Sequence, residues 1–213
     1  IRLSLVGSEM CIRDSLLNRS FKVQNSHKVL FHAAAGGVGL IAGQWLKYIG
    51  AESIGTVGSD DKIKLAKDAG YDHVINYNKS NFVEEVARIT GGIGVDVAYD
   101  SVGQATYPHT LFCLKKFGLF VSFGQSSGII KDIAMGDLAK NGSLYAQRPT
   151  LFDFISSKES LKQVSENMFK MLAEGHVKMH INQRYALKDV PKAFEMLMAR
   201  KTTGATVFDV GRG

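Results

Sequence analysis

The sequence predicts an α/β fold, a doubly wound parallel sheet with helices on both of its faces. Short apolar runs alternate with segments of helical period, and one of these runs leads into a glycine-rich turn that opens a helix. Of the 213 residues, 45% are hydrophobic, so the chain can bury a large core. Strands separated by helices need crossover connections, which form right-handed βαβ units.

Five strands and four helices alternate along the first part of the chain. The predicted strands are KVLFHA (28–33), SIGTV (53–57), HVINY (73–77), DVAYDS (96–101) and GLFVSF (118–123). The predicted helices cover 40–49, 60–68, 81–89 and 107–114. Beyond Pro149 the pattern changes to two longer amphipathic helices, 158–174 and 188–200, with strand-like segments INQRYAL (181–187) and ATVFDV (205–210).

Charge and cysteine content narrow the classes of function. The formal net charge of +6 favours anionic ligands, but the basic residues are dispersed and lack the aromatic interleaving of nucleic-acid platforms. Cys11 and Cys113 have neither CxxC spacing nor a nearby histidine cluster, which indicates no zinc site and no disulfide framework. We therefore expect a reducing, cytoplasmic location. No apolar run reaches the roughly 18 to 20 residues of a membrane-spanning helix.

The segment KVLFHAAAGGVG (28–39) is the most informative motif. It reads Ala34-x-Gly36-x-x-Gly39, the dinucleotide fingerprint of a Rossmann-type sheet with alanine at the first position. Gly36 lets backbone N–H groups approach a pyrophosphate, and Gly39 lets the helix pack close to the strand. The competing interpretation is a glycine turn formed for local backbone reasons.

The end of the second predicted strand indicates which nicotinamide cofactor fits. An NAD site places an acidic side chain there, about 20 residues past the glycines. Here the strand ends in Val57-Gly58, and Ser59 and Lys62 follow, which suits the 2′-phosphate of NADPH. In the alternative, Asp60 or Asp61 binds the ribose, Ser59 caps the helix and Lys62 is a surface charge. NADPH is favoured because both aspartates fall inside the predicted helix.

A collinear set of motifs carries a family resemblance. HAAAGGVG, GTVGSDDK, VINY, YDSVG, VSFGQSSG and SLYAQRPTL occur in the order and spacing of the NADPH-dependent quinone oxidoreductases, the zeta-crystallin-like branch of the medium-chain dehydrogenase/reductases. The chain resembles this family from about residue 16 to residue 210. The resemblance implies a zinc-independent oxidoreductase that reduces quinones or related conjugated carbonyls. It also implies a homodimer formed through the cofactor domains, with the segment 143–151 near the sheet edge.

The resemblance assigns cofactor-binding roles residue by residue. The glycine turn would hold the pyrophosphate, the end of the second strand the 2′-phosphate and adenosine, and the ends of the fourth and fifth strands the nicotinamide side. The predicted set is Ala35, Gly36, Gly37, Val38, Gly39, Gly58, Ser59, Lys62, Tyr77, Ser101, Val102, Phe123, Gly124, Ser126 and Arg200. Three of these residues have a structural alternative. In it, Tyr77 caps a strand, Phe123 belongs to the core, and Arg200 is a C-terminal helix charge favoured by the helix dipole.

No residue is predicted to be catalytic. His32 at a strand end reads as a structural hydrogen-bonding residue, and His109, His176 and His180 lack partners at catalytic spacing. Ser101 is not in a G-x-S-x-G elbow, so a nucleophilic role is not predicted.

The chain departs from the family at its amino-terminal end. Family members carry a GroES-like catalytic domain ahead of the cofactor domain, and residues 1–15 match nothing in that family. We therefore expect a non-family leader (1–15), an NADP-binding Rossmann domain (16–150) and the C-terminal remainder of the catalytic domain (151–213). The alternatives are a zinc alcohol dehydrogenase, an enoyl reductase, or a non-enzymatic module that binds NADPH or nucleic acid.

Overall fold

A six-stranded, wholly parallel sheet forms the centre of the protein. The computed structural model describes residues 12, 15–179, 181–199 and 201–211. The strands of the sheet are β1 (Lys28–Phe31), β2 (Glu52–Val57), β3 (His73–Asn76), β4 (Val95–Asp100), β5 (Leu114–Ser122) and β6 (Tyr145–Gln147). Their spatial order is β3-β2-β1-β4-β5-β6, which reverses between β1 and β4. The predicted doubly wound α/β fold is confirmed, and such sheets bind ligands at the carboxyl ends of the strands beside this reversal.

Helices cover both faces of the sheet. In chain order they are α1 (Gly37–Ile49), α2 (Asp61–Asp68), α3 (Phe82–Thr90), α4 (Tyr107–Thr110), α5 (Met135–Lys140), α6 (Leu151–Phe154), α7 (Lys158–Ala173) and α8 (Val190–Met198). Successive strand residues point to opposite faces: Val29 and Phe31 join one apolar cluster, and Leu30 joins the other. The first cluster holds α1 and the inner side of α7, and the second holds α3 and α4. The core is therefore built from two layers around one sheet.

The C-terminal region forms a small βαβ unit of its own. β7 (Ile181–Ala186) pairs in parallel with β8 (Ala205–Asp209), and α8 lies between them in the chain. Both predicted C-terminal helices and both strand-like segments exist, with ends shifted by one or two residues.

Two local predictions were wrong. The fourth predicted helix ends at Thr110, a short 3-10 turn follows (Leu111–Cys113), and Leu114 already begins β5. β5 starts four residues before the predicted strand because an irregular register pairs Val95 with Leu114 and Val97 with Leu119. The segment 15–20 forms a π-helical turn, Ser15–Ser20, for which no element was predicted. Leu16 and Leu17 of this turn are buried, and burial in the core supports an otherwise unusual helix.

Candidate cofactor site

The glycine turn places the start of α1 at the carboxyl edge of the sheet. Gly36 is the N-cap of α1 in an extended conformation and contributes no side chain to cap the helix. The turn is closed by a hydrogen bond from the Gly36 N–H to the Ala33 carbonyl (2.9 Å), and Ala33 has a positive φ of 56°. The first N–H groups of a helix have no partner within the helix, so those of α1 are oriented to receive an anion.

Gly39 permits the close packing of α1 on β1. A Cβ atom at Gly39 would lie 2.4 Å from the carbonyl oxygen of Ala33 and 2.6 Å from that of Ala34. Both contacts are with backbone atoms, which cannot rotate away as a side chain can. A Cβ on Gly36 would lie 3.2 Å from the Ala33 oxygen, so the turn has little space for larger residues.

The C-terminal region crosses this turn, a contact that sequence reasoning missed. The Gly204 N–H donates to the Ala35 carbonyl (3.1 Å), and Gly204 pairs with Gly36 in a parallel bridge. The two residues are 169 positions apart in the sequence (204 − 35), and no local sequence signal reports such a contact. The strand β8 is thereby attached directly to the predicted pyrophosphate loop.

At the end of β2, the ring of Tyr77 lies against Gly58. A Cβ atom on Gly58 would be 2.6 Å from the Tyr77 hydroxyl oxygen, so only glycine fits there without displacing the ring. The Asn78 side-chain amide donates to the Gly58 carbonyl (2.6 Å) and fixes the turn. Gly58 and Ser59 follow β2, Lys62 lies in the first turn of α2, and Tyr77 follows the neighbouring strand β3. The structure therefore brings this part of the predicted site to one end of two adjacent strands.

Asp60 is engaged by other side chains. Its carboxylate accepts hydrogen bonds from the ammonium of Lys79 and from the side-chain amide of Asn76 (2.7 Å for the latter). These two hydrogen bonds, from Lys79 first and then Asn76, lower the pKa of Asp60 below its ordinary value. The competing prediction made Ser59 the helix N-cap, and it was wrong because α2 begins at Asp61 and Asp60 is the N-cap. For the same reason, Asp60 precedes the helix and is not inside it as expected.

The ends of β4 and β5 pack closely against each other. Buried Asp100 accepts hydrogen bonds from the N–H groups of Val102 (2.7 Å) and Gly103 (3.0 Å) and from the Thr106 hydroxyl. The Ser126 N–H donates to the Ser101 carbonyl (3.1 Å), and a Cβ on Gly124 would lie 2.7 Å from that same oxygen. The predicted nicotinamide-side residues of the two strands are therefore neighbours in one rigid double turn.

Phe123 and Arg148 flank this double turn. The Phe123 ring is half-buried and lies 5.6 Å from the Phe31 ring, so its inner side belongs to the core as the structural alternative held. Arg148 follows β6 and donates to the Ser122 carbonyl (3.0 Å). Sequence reasoning missed Arg148, although its position after an edge strand at the carboxyl side could have identified it.

The histidine at the strand end has a structural environment. His32 is buried, and its two ring nitrogens lie 2.9 Å from the hydroxyl oxygens of Thr56 and Thr110. Burial lowers the pKa of His32, and the nearby charge of Asp100 opposes this shift. The Thr110 hydroxyl donates to the Thr106 carbonyl, so the hydrogen-bond network assigns the Nε2–H tautomer to a neutral ring.

Two other histidines and Cys113 lie in different environments. His109 is exposed, and His176 lies beside Tyr48 far along the chain from the glycine turn. Burial raises the pKa of the Cys113 thiol to about 12, which makes this thiol unreactive at neutral pH. Arg200, His180 and Cys11 lie outside the described residues.

Two observations on the described residues concern metals and membranes. Within the described ranges, His, Cys, Asp and Glu side chains form no group of three or more that could hold a metal ion. None of the helices in the described part of the chain is long and apolar enough to cross a membrane.

Comparison with known proteins decides the family. The model of the zinc-binding dehydrogenase family matches residues 37–173, which begin at the last residues of the glycine turn and include five of the six strands of the sheet. The chain belongs to this family. A quinone oxidoreductase of Salmonella typhimurium is 48% identical over 194 residues, and quinone oxidoreductase 1 of Escherichia coli is 45% identical over 194 residues. These alignments cover 90% of this chain and 59% of each relative.

A solved zinc-binding dehydrogenase relative has the same fold. The crystal structure of Escherichia coli quinone oxidoreductase complexed with NADPH superposes with a TM-score of 0.91 at 43% identity. The match covers 94% of this chain and 62% of that one, so the chain spans about three-fifths of the relatives it matches. The resemblance to quinone oxidoreductases of the medium-chain superfamily is confirmed.

Proposed function

We propose that this chain is the cofactor-binding portion of an NADPH-dependent, zinc-independent reductase of quinones or related conjugated carbonyls. The observation that carries the proposal is that two candidate phosphate-binding features lie at one sheet edge. They are the start of α1, whose N-cap makes no side-chain hydrogen bond, and the turn at Gly58 beside Tyr77. Its named relatives are quinone oxidoreductases, one of them solved with NADPH. The contacts of Asp60 support NADPH over NAD, because a carboxylate that already accepts from Lys79 and Asn76 is a poorer acceptor for ribose hydroxyls.

The residues fit this cofactor by their shape and polarity. Ala35, Gly36, Gly37, Val38 and Gly39 would hold the pyrophosphate, because their backbone N–H groups surround the helix start. Gly58, Ser59, Lys62 and Tyr77 would hold the 2′-phosphate and adenine. The nicotinamide side would contact a third group, which consists of Ser101, Val102, Phe123, Gly124, Ser126 and Arg200.

The mechanism assigned to the protein is orientation and exclusion of water. NADPH, when bound, supplies a hydride from the C4 carbon of its nicotinamide. The double turn at Ser101 and Gly124 would support one face of that ring, since its backbone hydrogen bonds leave the turn little freedom. The half-buried Phe123 would exclude water from one side of this surface. His32 is occupied by two threonines and takes no part in proton transfer in this scheme.

The domain organisation would limit what this chain does alone. We place the cofactor domain at 16–150 and the remainder of a catalytic domain at 151–213. Exposed apolar side chains lie on α7 and α8, and Met198 is 82% exposed; the others are Leu161, Phe169, Phe194 and Leu197. A catalytic domain packed there would cover them and form the second wall of the cleft.

Steady-state kinetics tests this organisation. Hydride transfer needs the acceptor held about 3 to 3.5 Å from the nicotinamide, so the chain as it stands should bind NADPH but reduce quinones poorly. Turnover near the roughly 10 s⁻¹ of an ordinary enzyme would contradict the proposed division.

Titration with NADPH at increasing salt tests the function itself. A specific pocket that makes a few phosphate contacts should give saturable binding with a shallow dependence on salt. A steep counterion-release slope, or binding that NADPH does not displace from nucleic acid, would instead indicate a nucleic-acid surface. Absence of saturable NADPH binding would contradict the proposal.

The sheet edge supports a homodimer. β6 is the outermost strand, its outer side is unpaired within the described sheet, and Tyr145 is exposed on it. Such edges favour pairing with another chain. Sedimentation at micromolar concentrations should give a dimer mass, and Tyr145→Lys should weaken it more than Ile93→Lys, which alters an equally exposed residue elsewhere. A monomer at all concentrations would argue against the dimer.

The buried, unreactive thiol of Cys113 is compatible with a reducing cytoplasm.

A further inference from the structure

An ion pair lies at the mouth of the proposed 2′-phosphate pocket. Asp60 follows β2 and Lys79 follows β3, and these strands are neighbours whose last residues, Val57 and Asn76, stand side by side. The side chains of Asp60 and Lys79 are 52% and 67% exposed, so both charges are accessible from solvent. The pair therefore sits where the two cofactors differ, next to Gly58 and Tyr77.

A hydrogen bond from the end of β3 also fixes the Asp60 side chain. The Asn76 amide donates to one carboxylate oxygen (2.7 Å), and the Asn76 side-chain oxygen accepts from the Asn78 N–H (3.0 Å). Asn78 in turn donates to the Gly58 carbonyl. Asn76 is buried, so this chain of hydrogen bonds holds the carboxylate at a defined place while Lys79 closes it from the solvent side.

We propose that Asp60 and Lys79 form a switch that sets the preference between NADPH and NADH. This inference rests on the proposed function. While Lys79 and Asn76 each donate to one oxygen of Asp60, the carboxylate charge is partly neutralised and Asp60 is a poorer acceptor for ribose hydroxyls, and the ammonium is placed to attract a 2′-phosphate. Asp60 thus restrains Lys79, and Lys79 adds a second cation to the one that Lys62 supplies.

Removing Lys79 and removing the charge of Asp60 should therefore have opposite effects on NADPH binding. Without Lys79, Asp60 is an open carboxylate that repels a phosphate and suits ribose hydroxyls, which is the arrangement of an NAD site. Without the charge of Asp60, Lys79 is released toward the phosphate, and one repulsive charge disappears. A purely structural pair would change binding of both nucleotides alike.

The test compares dissociation constants of NADPH and NADH for three variants of this chain. Lys79→Met should weaken NADPH binding by about three- to tenfold, the scale of one surface charge at a few ångströms, and leave NADH binding equal or tighter. Asp60→Asn, which keeps an oxygen for Asn76, should tighten NADPH binding by about threefold and leave NADH binding unchanged. Both differences should shrink as salt rises.

A matched control lies on the same helix. Lys64 pairs with Asp68, the last residue of α2 (2.6 Å), both side chains are exposed, and Lys64→Met should change neither constant. Equal shifts for both nucleotides in the Asp60 and Lys79 variants, or shifts as large in Lys64→Met, would overturn the switch while the proposed function stands. If the unaltered chain binds neither nucleotide, both proposals fail.

Discussion

Gly39→Ala tests the packing that positions the cofactor helix. The added methyl group would lie 2.4, 2.6 and 2.7 Å from three backbone atoms of Ala33 and Ala34. Overpacking of this kind costs about 1 to 3 kcal/mol, and contacts with backbone place it at the upper end. Alanine recovers about 1 kcal/mol through its helix propensity. The expected net loss in the free energy of unfolding is therefore about 2 kcal/mol, which corresponds to a Tm lower by about 4 to 8 °C.

Gly136→Ala is the matched control for this change. Gly136 is also helical, in α5, but nothing lies within 4 Å of the position of its Cβ. The same substitution there should stabilise the chain by about 0.5 to 1 kcal/mol. Urea unfolding of both variants, compared at constant m value, measures the difference directly. Equal stability of Gly39→Ala and Gly136→Ala would contradict this prediction, since the close approach would then place no limit on side-chain size.

Three further predictions concern charge and burial. Lys62→Ala should weaken NADPH binding by about 1 to 3 kcal/mol and hardly alter NADH binding; equal losses by calorimetry would argue against a 2′-phosphate contact. Because the pKa of His32 is lowered in the folded chain, the unfolded chain binds more protons below the ordinary histidine value of 6.5, so stability is complete above that pH and falls below it. Urea unfolding below pH 6.5 should show stability that falls as the pH falls, with a contribution from this group of at most about 1.4 kcal/mol per pH unit, and His32→Gln should flatten it, whereas an unchanged slope would show that His32 is not the cause. The buried Cys113 thiol should resist alkylation at pH 8 until the chain unfolds, and rapid labelling of Cys113 in folded protein, read by peptide mass, would contradict its raised pKa.

The topology was accessible from the sequence because its signals are local. The glycine turn after an apolar strand, and the alternation of buried strands with helices, predicted a parallel doubly wound sheet, and the observed strand order confirmed it. The clustering of Gly58 with Tyr77 was expected from the family resemblance, and the structure supplies the reason, because the ring occupies the space of a Cβ.

The features that escaped prediction depend on contacts between distant segments. β6 has only three residues and no alternation, so the sequence placed its segment near the sheet edge without identifying a strand. The hydrogen bond from Gly204 to Ala35 and the pairing of Asp60 with Lys79 arise only once separate loops meet at one edge. The early start of β5 follows from its irregular register with β4, which no periodicity reveals.

Diffraction from crystals grown with NADPH would show whether the nucleotide binds at this edge of the sheet. We expect density for the pyrophosphate against the backbone N–H groups of residues 35–39. We also expect the 2′-phosphate between Lys62 and Tyr77, with Asp60 still held by Asn76. A nucleotide bound elsewhere on the chain, or at this edge with its adenosine ribose hydrogen-bonded to Asp60, would contradict this expectation.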